Sequence, residues 1–225
     1  MSWWDALLEN DIIRERLPLA TLETLEMVAV SSVLTVLLGL PLGMLLHATS
    51  PGGLTPQRTV ASVVGFVVNV GRSLPFVILM IAVLPFTRWV VGTTLGWQAA
   101  VVPLTLGAVP FFARLAESAL REVSPGKVEA ARVMGSTRGK ILGAVLVREA
   151  LPGLVSAVTV TVVSLISFSA MAGVIGAGGL GALAISYGYQ RFDTAVMVAC
   201  IVVIVVVVQA IQVVGDAVAR RLDHR

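Results

Sequence analysis

Long runs of apolar residues constrain this chain more than any other feature of its sequence. Several of them exceed the roughly 18 residues that a helix needs to cross the hydrocarbon core of a bilayer. Apolar strands in soluble proteins are shorter, about 4–8 residues between turns. Hydrophobic residues make up 57% of the 225 residues and charged residues only 13%, whereas about a quarter of a soluble domain is charged. The sequence therefore predicts an integral membrane protein.

The apolar runs predict an all-α, polytopic fold with five transmembrane helices. These helices cover residues 25–46, 62–84, 99–120, 150–175 and 194–214. The second is interrupted by Asn69, Arg72 and Pro75, so it is not a simple lipid-facing helix. Gly39 and Gly43 in the first have the small-xxx-small spacing that favours helix packing.

Lysine and arginine are distributed unevenly between the two sides that an odd number of spans creates. With the N-terminus outside, the inner segments hold eleven of these residues and the outer segments four. The inner ones are Arg58, Arg114, Arg121, Lys127, Arg132, Arg138, Lys140, Arg148, Arg220, Arg221 and Arg225; the outer ones are Arg14, Arg16, Arg88 and Arg191. Cytoplasmic loops carry an excess of Lys and Arg. This bias predicts an outside N-terminus and a cytoplasmic C-terminus.

The first 24 residues differ from the spans in composition. Acidic residues among the first fifteen argue against a signal peptide. Trp3 and Trp4 suit the headgroup region, and nearby leucines and isoleucines can lie along the interface. We expect an N-terminal interfacial segment over residues 1–24 and a single transmembrane domain over residues 25–225.

The stretch GAGGLG, from Gly176 to Gly181, matches the G-x-G-x-x-G pattern of dinucleotide-binding loops. That pattern indicates a cofactor site only between a strand and a helix, with an acidic residue about 20 positions later. Here a long apolar span precedes it and no acidic residue follows at that distance. We interpret the glycines as a bend at the outer end of the fourth span.

Several other classes of site are not predicted. A lone Cys200 and two distant histidines offer no ligand pair with metal-site spacing. No G-x-x-x-x-G-K-[ST] phosphate loop is present, so we expect no bound ATP or Mg²⁺ and no ATP hydrolysis in this chain. The basic residues follow membrane topology, and we therefore expect a lipid bilayer rather than nucleic acid as the partner.

The longest inner loop, which we call the coupling loop (residues 121–149), predicts two short helices joined at a glycine. Ser124 and Pro125 favour the start of the first helix, and Gly135 its end. Ser136 can cap the second helix. We call this pair of helices the elbow. A capped helical loop of this length is better explained as a docking element than as a solvated connection.

Within the elbow, Glu129, Ala130, Ala131 and Gly135 match the E-A-A-x-x-x-G core of the EAA motif, and the chain resembles the permease subunits of bacterial ABC importers. Val145 and Val147 stand where that motif has Ile and Leu, and Arg148 replaces its proline. From about residue 25 onward the chain is similar to the methionine-importer permeases. This second resemblance is carried by RSLPF at 72–76, LPFTRWVVGT at 84–93, QAAVVPLTLGAVPFFAR at 98–114, FSAMAGVIGAGGLG at 168–181 and YGY at 187–189.

The resemblance implies a type I ABC importer permease fold in the cytoplasmic (inner) membrane and an assembly of several partners. The chain would pair with a second copy of itself around a central pathway. Two cytoplasmic ABC ATPase subunits, which bind the ATP and Mg²⁺, would dock on the elbows, and an extracytoplasmic methionine-binding lipoprotein would deliver the cargo. The resemblance implies import of methionine, either as the L-enantiomer alone or as both enantiomers.

Two groups of residues are candidates for the pathway. On the fourth span, Ser164, Phe168, Met171 and Ile175 share one helical face, and small residues including Ser169 surround them. A flexible, polarizable methionine suits Phe168 and Met171, although a core stripe is the alternative. Asn69, Arg72 and Pro75 are candidates for the pathway or a gate. For Arg72 we slightly favour a structural role, in which it binds backbone carbonyls at the break.

Three other functions fit the sequence less well. An intramembrane protease needs a histidine near its serine, and no span has one at mid-membrane. An ion-coupled transporter is often built from two related halves, which five spans do not give. An ABC permease for another amino acid, a dipeptide or an ion stays open, because the EAA core reports coupling rather than cargo.

Overall fold

The computed structural model describes residues 10–223, and within this range the chain is helical, without strands. The elements follow one another as α1 Asp11–Thr49, α2 Arg58–Ser73, α3 Phe76–Val91, α4 Trp97–Arg121, α5 Pro125–Val133, α6 Arg138–Lys140, the π-helical segment π1 Ile141–Leu146, α7 Val147–Glu149, α8 Leu151–Val174, α9 Gly179–Leu183, the π-helical segment π2 Ala184–Tyr189 and α10 Thr194–Leu222. The prediction of an all-α fold is confirmed.

Four helices in the described range, α1, α4, α8 and α10, are long and apolar enough to cross a membrane. The bent pair α2 and α3 passes the same test when taken together, as a broken span or a re-entrant loop. Its break lies at Leu74 and Pro75, which have extended backbone angles. Proline has no N–H to continue a helix and restricts the residue before it. The described residues thus contain four candidate spans, or five if this pair counts as one, and the predicted second span consists of two helices rather than one interrupted helix.

The first helix begins well before the predicted first span. Asn10 accepts a hydrogen bond from the backbone N–H of Ile12 (3.0 Å), and α1 then passes Leu25 without a break. Residues 1–9, including Trp3 and Trp4, lie outside the described range. An interfacial position for residues 1–24 stays a prediction, as does a single domain over residues 25–225.

Residue contacts divide the chain into two compact units. Unit 1 comprises Met1–Val33, Pro75–Gly107 and Val162–Gln212, and unit 2 comprises Leu34–Leu74, Ala108–Thr161 and Val213–Arg225. Unit 1 has a buried cluster at Ala20, Leu180, Leu183, Val196 and Cys200. In unit 2, Phe112 and Leu120 of α4 pack with Ile141 and Leu146, the two ends of π1. The coupling loop therefore has a buried face that packs against α4.

Small residues set the close approach of helices in unit 2. A Cβ added to Gly39 would lie 2.8 Å from the Phe112 ring, and one added to Gly43 would lie 2.7 Å from the Ala113 carbonyl oxygen. The prediction that this glycine pair serves helix packing is confirmed. Gly215 of α10 approaches Thr159 of α8 in the same way. Close backbone approach through small residues is the usual basis of packing between transmembrane helices.

Candidate coupling and translocation sites

The first arm of the elbow ends as its sequence predicts. Gly135 has φ +79°, a left-handed backbone that glycine adopts without steric cost. Its N–H donates to the carbonyl of Arg132 (2.9 Å), and the N–H of Ser136 donates to the carbonyl of Ala131 (3.0 Å). This pair of bonds is a Schellman motif, which satisfies the last carbonyls of α5. At the other end, Ser124 occupies the cap position without a side-chain capping bond.

The second arm begins one residue later than the sequence predicts. Thr137, rather than Ser136, is the N-cap, and its hydroxyl oxygen accepts a hydrogen bond from the N–H of Lys140 (3.4 Å). Because the N–H of Ser136 belongs to the Schellman motif of α5, the next helix starts after it. The arm then widens into π1, whose Ile141 and Leu146 are each 1% exposed.

The predicted coupling residues of the elbow divide into an exposed set and a buried residue. Glu129, Ala130 and Gly135 are exposed, whereas Ala131 is 3% exposed and packs in the unit 2 core. Ala131 therefore packs α5 against the core of its own unit, and its contact with a partner stays a prediction. Val133 and Met134 are 85% and 76% exposed. Sequence reasoning missed these two, although apolar residues next to a helix-ending glycine were a usable signal.

A buried carboxylate organises the polar groups at the end of α4. Glu117 is 2% exposed and accepts hydrogen bonds from Arg114 (2.6 Å) and Arg121 (2.5 Å). Arg114 also donates to the side-chain oxygen of Asn69 (2.8 Å). Arg114 and Glu117 have the i, i+3 spacing that favours an ion pair on a helix surface, and the pair is present, but its carboxylate is buried. Asn69 thus ties α2 to α4.

Arg72 has a different environment from Arg114. Its side chain is exposed, and within residues 10–223 no hydrogen bond or ion pair joins it to another residue. The slight preference for a structural role, through backbone carbonyls at the break, is therefore not supported. The neighbouring Ser73 hydroxyl donates to the carbonyl of Asn69 (2.8 Å). An unpaired arginine in a span usually faces water or the interior of a bundle.

The four pathway candidates of α8 differ in their exposure and contacts. Phe168 stacks on Phe76, the first residue of α3, with ring centroids 4.6 Å apart and planes 10° from parallel. Met171 is 45% exposed and Ser164 half-buried. Ser169 is 2% exposed, and its hydroxyl donates to the carbonyl of Ile166 (2.7 Å). Met171 is thus available to another molecule, and Ser169 faces the packed side of its own unit.

The glycine stretch GAGGLG ends α8 and begins α9. Gly176, Gly178 and Gly179 have φ of +94°, +80° and +75°. The N–H of Gly179 donates to the Glu23 carboxylate (2.7 Å), and the N–H of Leu180 donates to the Thr24 hydroxyl (2.9 Å). A helix follows, but α8 rather than a strand precedes it, so the interpretation as a bend is confirmed. Sequence reasoning missed the capping by α1, because Glu23 lies 156 residues from Gly179.

The model of the binding-protein-dependent transport system inner membrane component matches residues 39–225. The probable D-methionine transport system permease protein MetI of Vibrio cholerae is 52% identical over 206 residues, 92% of each chain. The protein of the same name from Pasteurella multocida is 46% identical over 213 residues, 95% of this chain and 98% of the relative.

A solved structure with a similar fold is an inward-facing conformation of the MetNI methionine ABC transporter. The TM-score is 0.94 at 44% sequence identity, covering 96% of this chain and all of the other. The similarity therefore extends over the broken span and the coupling loop as well as the long helices.

Proposed function

Since the chain belongs to the family of binding-protein-dependent transport system inner membrane components, we propose that it is the membrane-spanning permease subunit of an ATP-driven methionine importer. The relatives with about half of their residues identical are D-methionine permeases, and the similar solved structure is a methionine ABC transporter. Both support methionine as the cargo. The family is one of inner-membrane components, in agreement with the apolar spans.

The exposed side of the elbow is the observation that carries this proposal. Val133 and Met134 expose apolar side chains beside the charged Glu129, at the end of a helix that is anchored by Ala131. A rigid helix with exposed apolar anchors is suited to insertion into a groove on a partner protein. That partner is an ATPase subunit, which binds the ATP and Mg²⁺ and hydrolyses the nucleotide, while this chain transports without catalysing a reaction.

Motion that ATP drives in the ATPase subunits reaches the transmembrane helices through packed contacts within unit 2. Ile141 and Leu146 join π1 to Phe112 and Leu120 of α4, so a displacement of the elbow is transmitted to that helix. Packed interiors shift between discrete arrangements rather than deform continuously. ATP-driven closure of two ATPase subunits would in this way change access to the pathway from one side of the membrane to the other.

The pathway lies between two copies of this chain and is supplied from outside by a methionine-binding lipoprotein. Met171 supports this placement, because it leaves much of its side chain uncovered in a single copy. Phe168 is held beside it by the stack on Phe76, and Pro75 sets the start of α3. Arg72 supports a polar lining, since it has no partner in the described range.

The elbow is tested through the backbone of Gly135. A Cβ at this position meets no atom within 4 Å, so a substitution acts through φ alone. Valine is penalised in the left-handed region by roughly 1–3 kcal/mol, whereas asparagine tolerates it. We expect Gly135→Val to lose ATPase association and ATP-dependent uptake of radiolabelled methionine into proteoliposomes, and Gly135→Asn to keep most of both.

Gly139→Val serves as a control for side-chain bulk in the same loop, because its Cβ also meets open space and its φ is ordinary. Glu129→Ala should weaken ATPase association without changing the fold of the chain. Methionine uptake that proceeds without any ATPase would contradict the proposed function. Unchanged coupling in Gly135→Val would instead show that the elbow is only a connection.

A further inference from the structure

A cavity of about 610 Å³ lies where several helices of unit 2 end. Its walls come from the last turn of α4, the first turn of α5, α7, the first turns of α8 and the last turn of α10. Three of these helices are transmembrane spans, and the cavity therefore lies at the level where the apolar runs meet the basic inner segments. Nothing in the proposed transport cycle uses it.

The floor of the cavity is apolar and is made by small side chains. Ala119, Gly153 and Ala219 line it with little or no side chain, Gly153 lies close to Ala119, and Leu222 is a larger apolar wall. Ser156 adds a hydroxyl, but this group already donates to the carbonyl of Pro152 (3.2 Å). The floor thus offers few polar groups to an occupant and suits a hydrocarbon chain.

The rim of the cavity carries charged side chains. Lys127 and Glu149 neutralise each other in an ion pair that joins α5 to α7. Arg148 and Arg220 are exposed, and within the described residues neither has a hydrogen-bond or ion-pair partner. A guanidinium presents a planar set of donors that matches a phosphate group. Glu122 and Asp223 also line the cavity, so its rim carries carboxylates as well as these two guanidinium groups, and with the apolar floor it forms an amphipathic site.

We propose that this cavity binds one glycerophospholipid from the leaflet that faces the coupling loop, which is the cytoplasmic leaflet in the proposed orientation. Arg148 and Arg220 hold the phosphodiester, and an acyl chain lies along Ala119, Gly153 and Ala219. Basic pockets between transmembrane helices on the cytoplasmic side are suited to lipid headgroups. The lipid lies beside Lys127 in the first turn of the elbow. The proposal depends on membrane insertion but not on methionine as the cargo.

The test is lipid binding by the purified transporter, with its ATPase bound, measured by native mass spectrometry during titration with phosphatidylglycerol. We expect one tightly bound lipid per chain. Losing two charge-assisted hydrogen bonds in Arg148→Gln/Arg220→Gln should weaken its binding about tenfold or more. Ala219→Trp, which keeps both arginines and fills the floor, should weaken it as well. The double variant Arg58→Gln/Arg138→Gln removes two exposed cations outside the cavity and should bind as the wild type does.

Two further ligands separate the headgroup from the acyl chain and from free anions. Diacylglycerol lacks the phosphate and should bind poorly, and glycerol phosphate lacks the acyl chains and should not displace the phospholipid. Equal binding of diacylglycerol, or unchanged phosphatidylglycerol binding in the arginine double variant, would overturn the proposal. Loss of ATPase from that variant with unchanged lipid binding would assign the two arginines to a protein contact instead.

Discussion

At the scale of single residues, polar side chains inside the apolar helices divide into those with partners and those without. Glu117 has two arginine partners, and one of these, Arg114, also binds Asn69. Burying an unpaired charge is expensive, so a carboxylate this deep requires such a network. Arg72, by contrast, has no partner in the described range. The first group joins helices of unit 2, whereas Arg72 makes no such contact within the described residues.

Replacing Arg72 therefore separates a pathway role from a structural one. If its guanidinium attracts the carboxylate of methionine, Arg72→Gln should raise the KM for methionine uptake roughly tenfold to hundredfold, the equivalent of one charge-assisted hydrogen bond. Arg72→Lys should recover part of the loss. Thermal stability should not fall, since no contact within the described residues is lost. A fall in melting temperature with an unchanged KM would return Arg72 to a structural role, and Arg88→Gln provides an exposed-arginine control.

Phe168 and Met171 are expected to differ in the same assay. Phe168→Ala removes the stack on Phe76, worth about 0.5–1.5 kcal/mol, and should lower both stability and uptake. Met171→Ala removes a side chain that is 45% exposed and should leave stability unchanged. Its uptake rate should fall roughly twofold to tenfold, in line with a sulfur contact to the substrate. Val205→Ala, an exposed valine of α10, is the control, and equal discrimination of methionine from leucine in all variants would contradict the prediction.

At the scale of the elements, glycines decide how closely the helices of unit 2 approach. Gly215 of α10 faces the Thr159 side chain so closely that a Cβ has no room, whereas a Cβ on Gly65 of α2 meets nothing within 4 Å. Both residues lie inside helices. Their different surroundings make the two glycines a matched pair, in which helix propensity favours alanine at both sites and packing opposes it at one.

We expect Gly215→Ala to destabilise the chain by about 1–3 kcal/mol, because overpacking forces α8 and α10 apart. Gly65→Ala should be neutral or stabilise it by up to about 1 kcal/mol through helix propensity. Thermal unfolding of the purified transporter, followed by circular dichroism, measures both changes. Equal shifts in the two variants would show that the contact between Gly215 and Thr159 does not limit the helix spacing.

At the scale of the whole molecule, the two compact units differ in charge. Unit 1 holds only four of the sixteen Lys and Arg residues of the chain: Arg14, Arg16, Arg88 and Arg191. The remaining twelve Lys and Arg residues, which include those of the coupling loop, belong to unit 2. An excess of positive charge marks the cytoplasmic side of a membrane protein. This is the same charge bias from which the sequence predicts the orientation of the chain.

Reporter fusions test this orientation. Fusions after Arg58, within the coupling loop and at the C-terminus should behave as cytoplasmic, and fusions near Gly92 and Arg191 as external. The expected readout is opposite activity of phosphatase and fluorescent-protein fusions at each site. A C-terminus on the outside would refute both the five-span count and the cytoplasmic position of the elbow.

The sequence by itself determined the long apolar helices, the break in the predicted second span and the end of α5. Each depends on a property that a local stretch carries alone. A long apolar run crosses a bilayer wherever it lies, Pro75 interrupts a helix by its missing N–H, and Gly135 accepts a left-handed backbone. The EAA motif could be recognised from the sequence for the same reason, since its residues lie within one short loop.

Only the tertiary structure decided which side of each helix is covered. Ala130 and Ala131 are neighbours of the same type, yet one is exposed and the other is buried against π1. Glu23 caps a helix that begins 156 residues later in the chain. Phe76 stacks on Phe168, which lies in a run of small and apolar residues that the sequence alone does not distinguish as contact sites. Such contacts depend on how distant helices pack, and helix periodicity places residues on a common face without specifying what lies opposite that face.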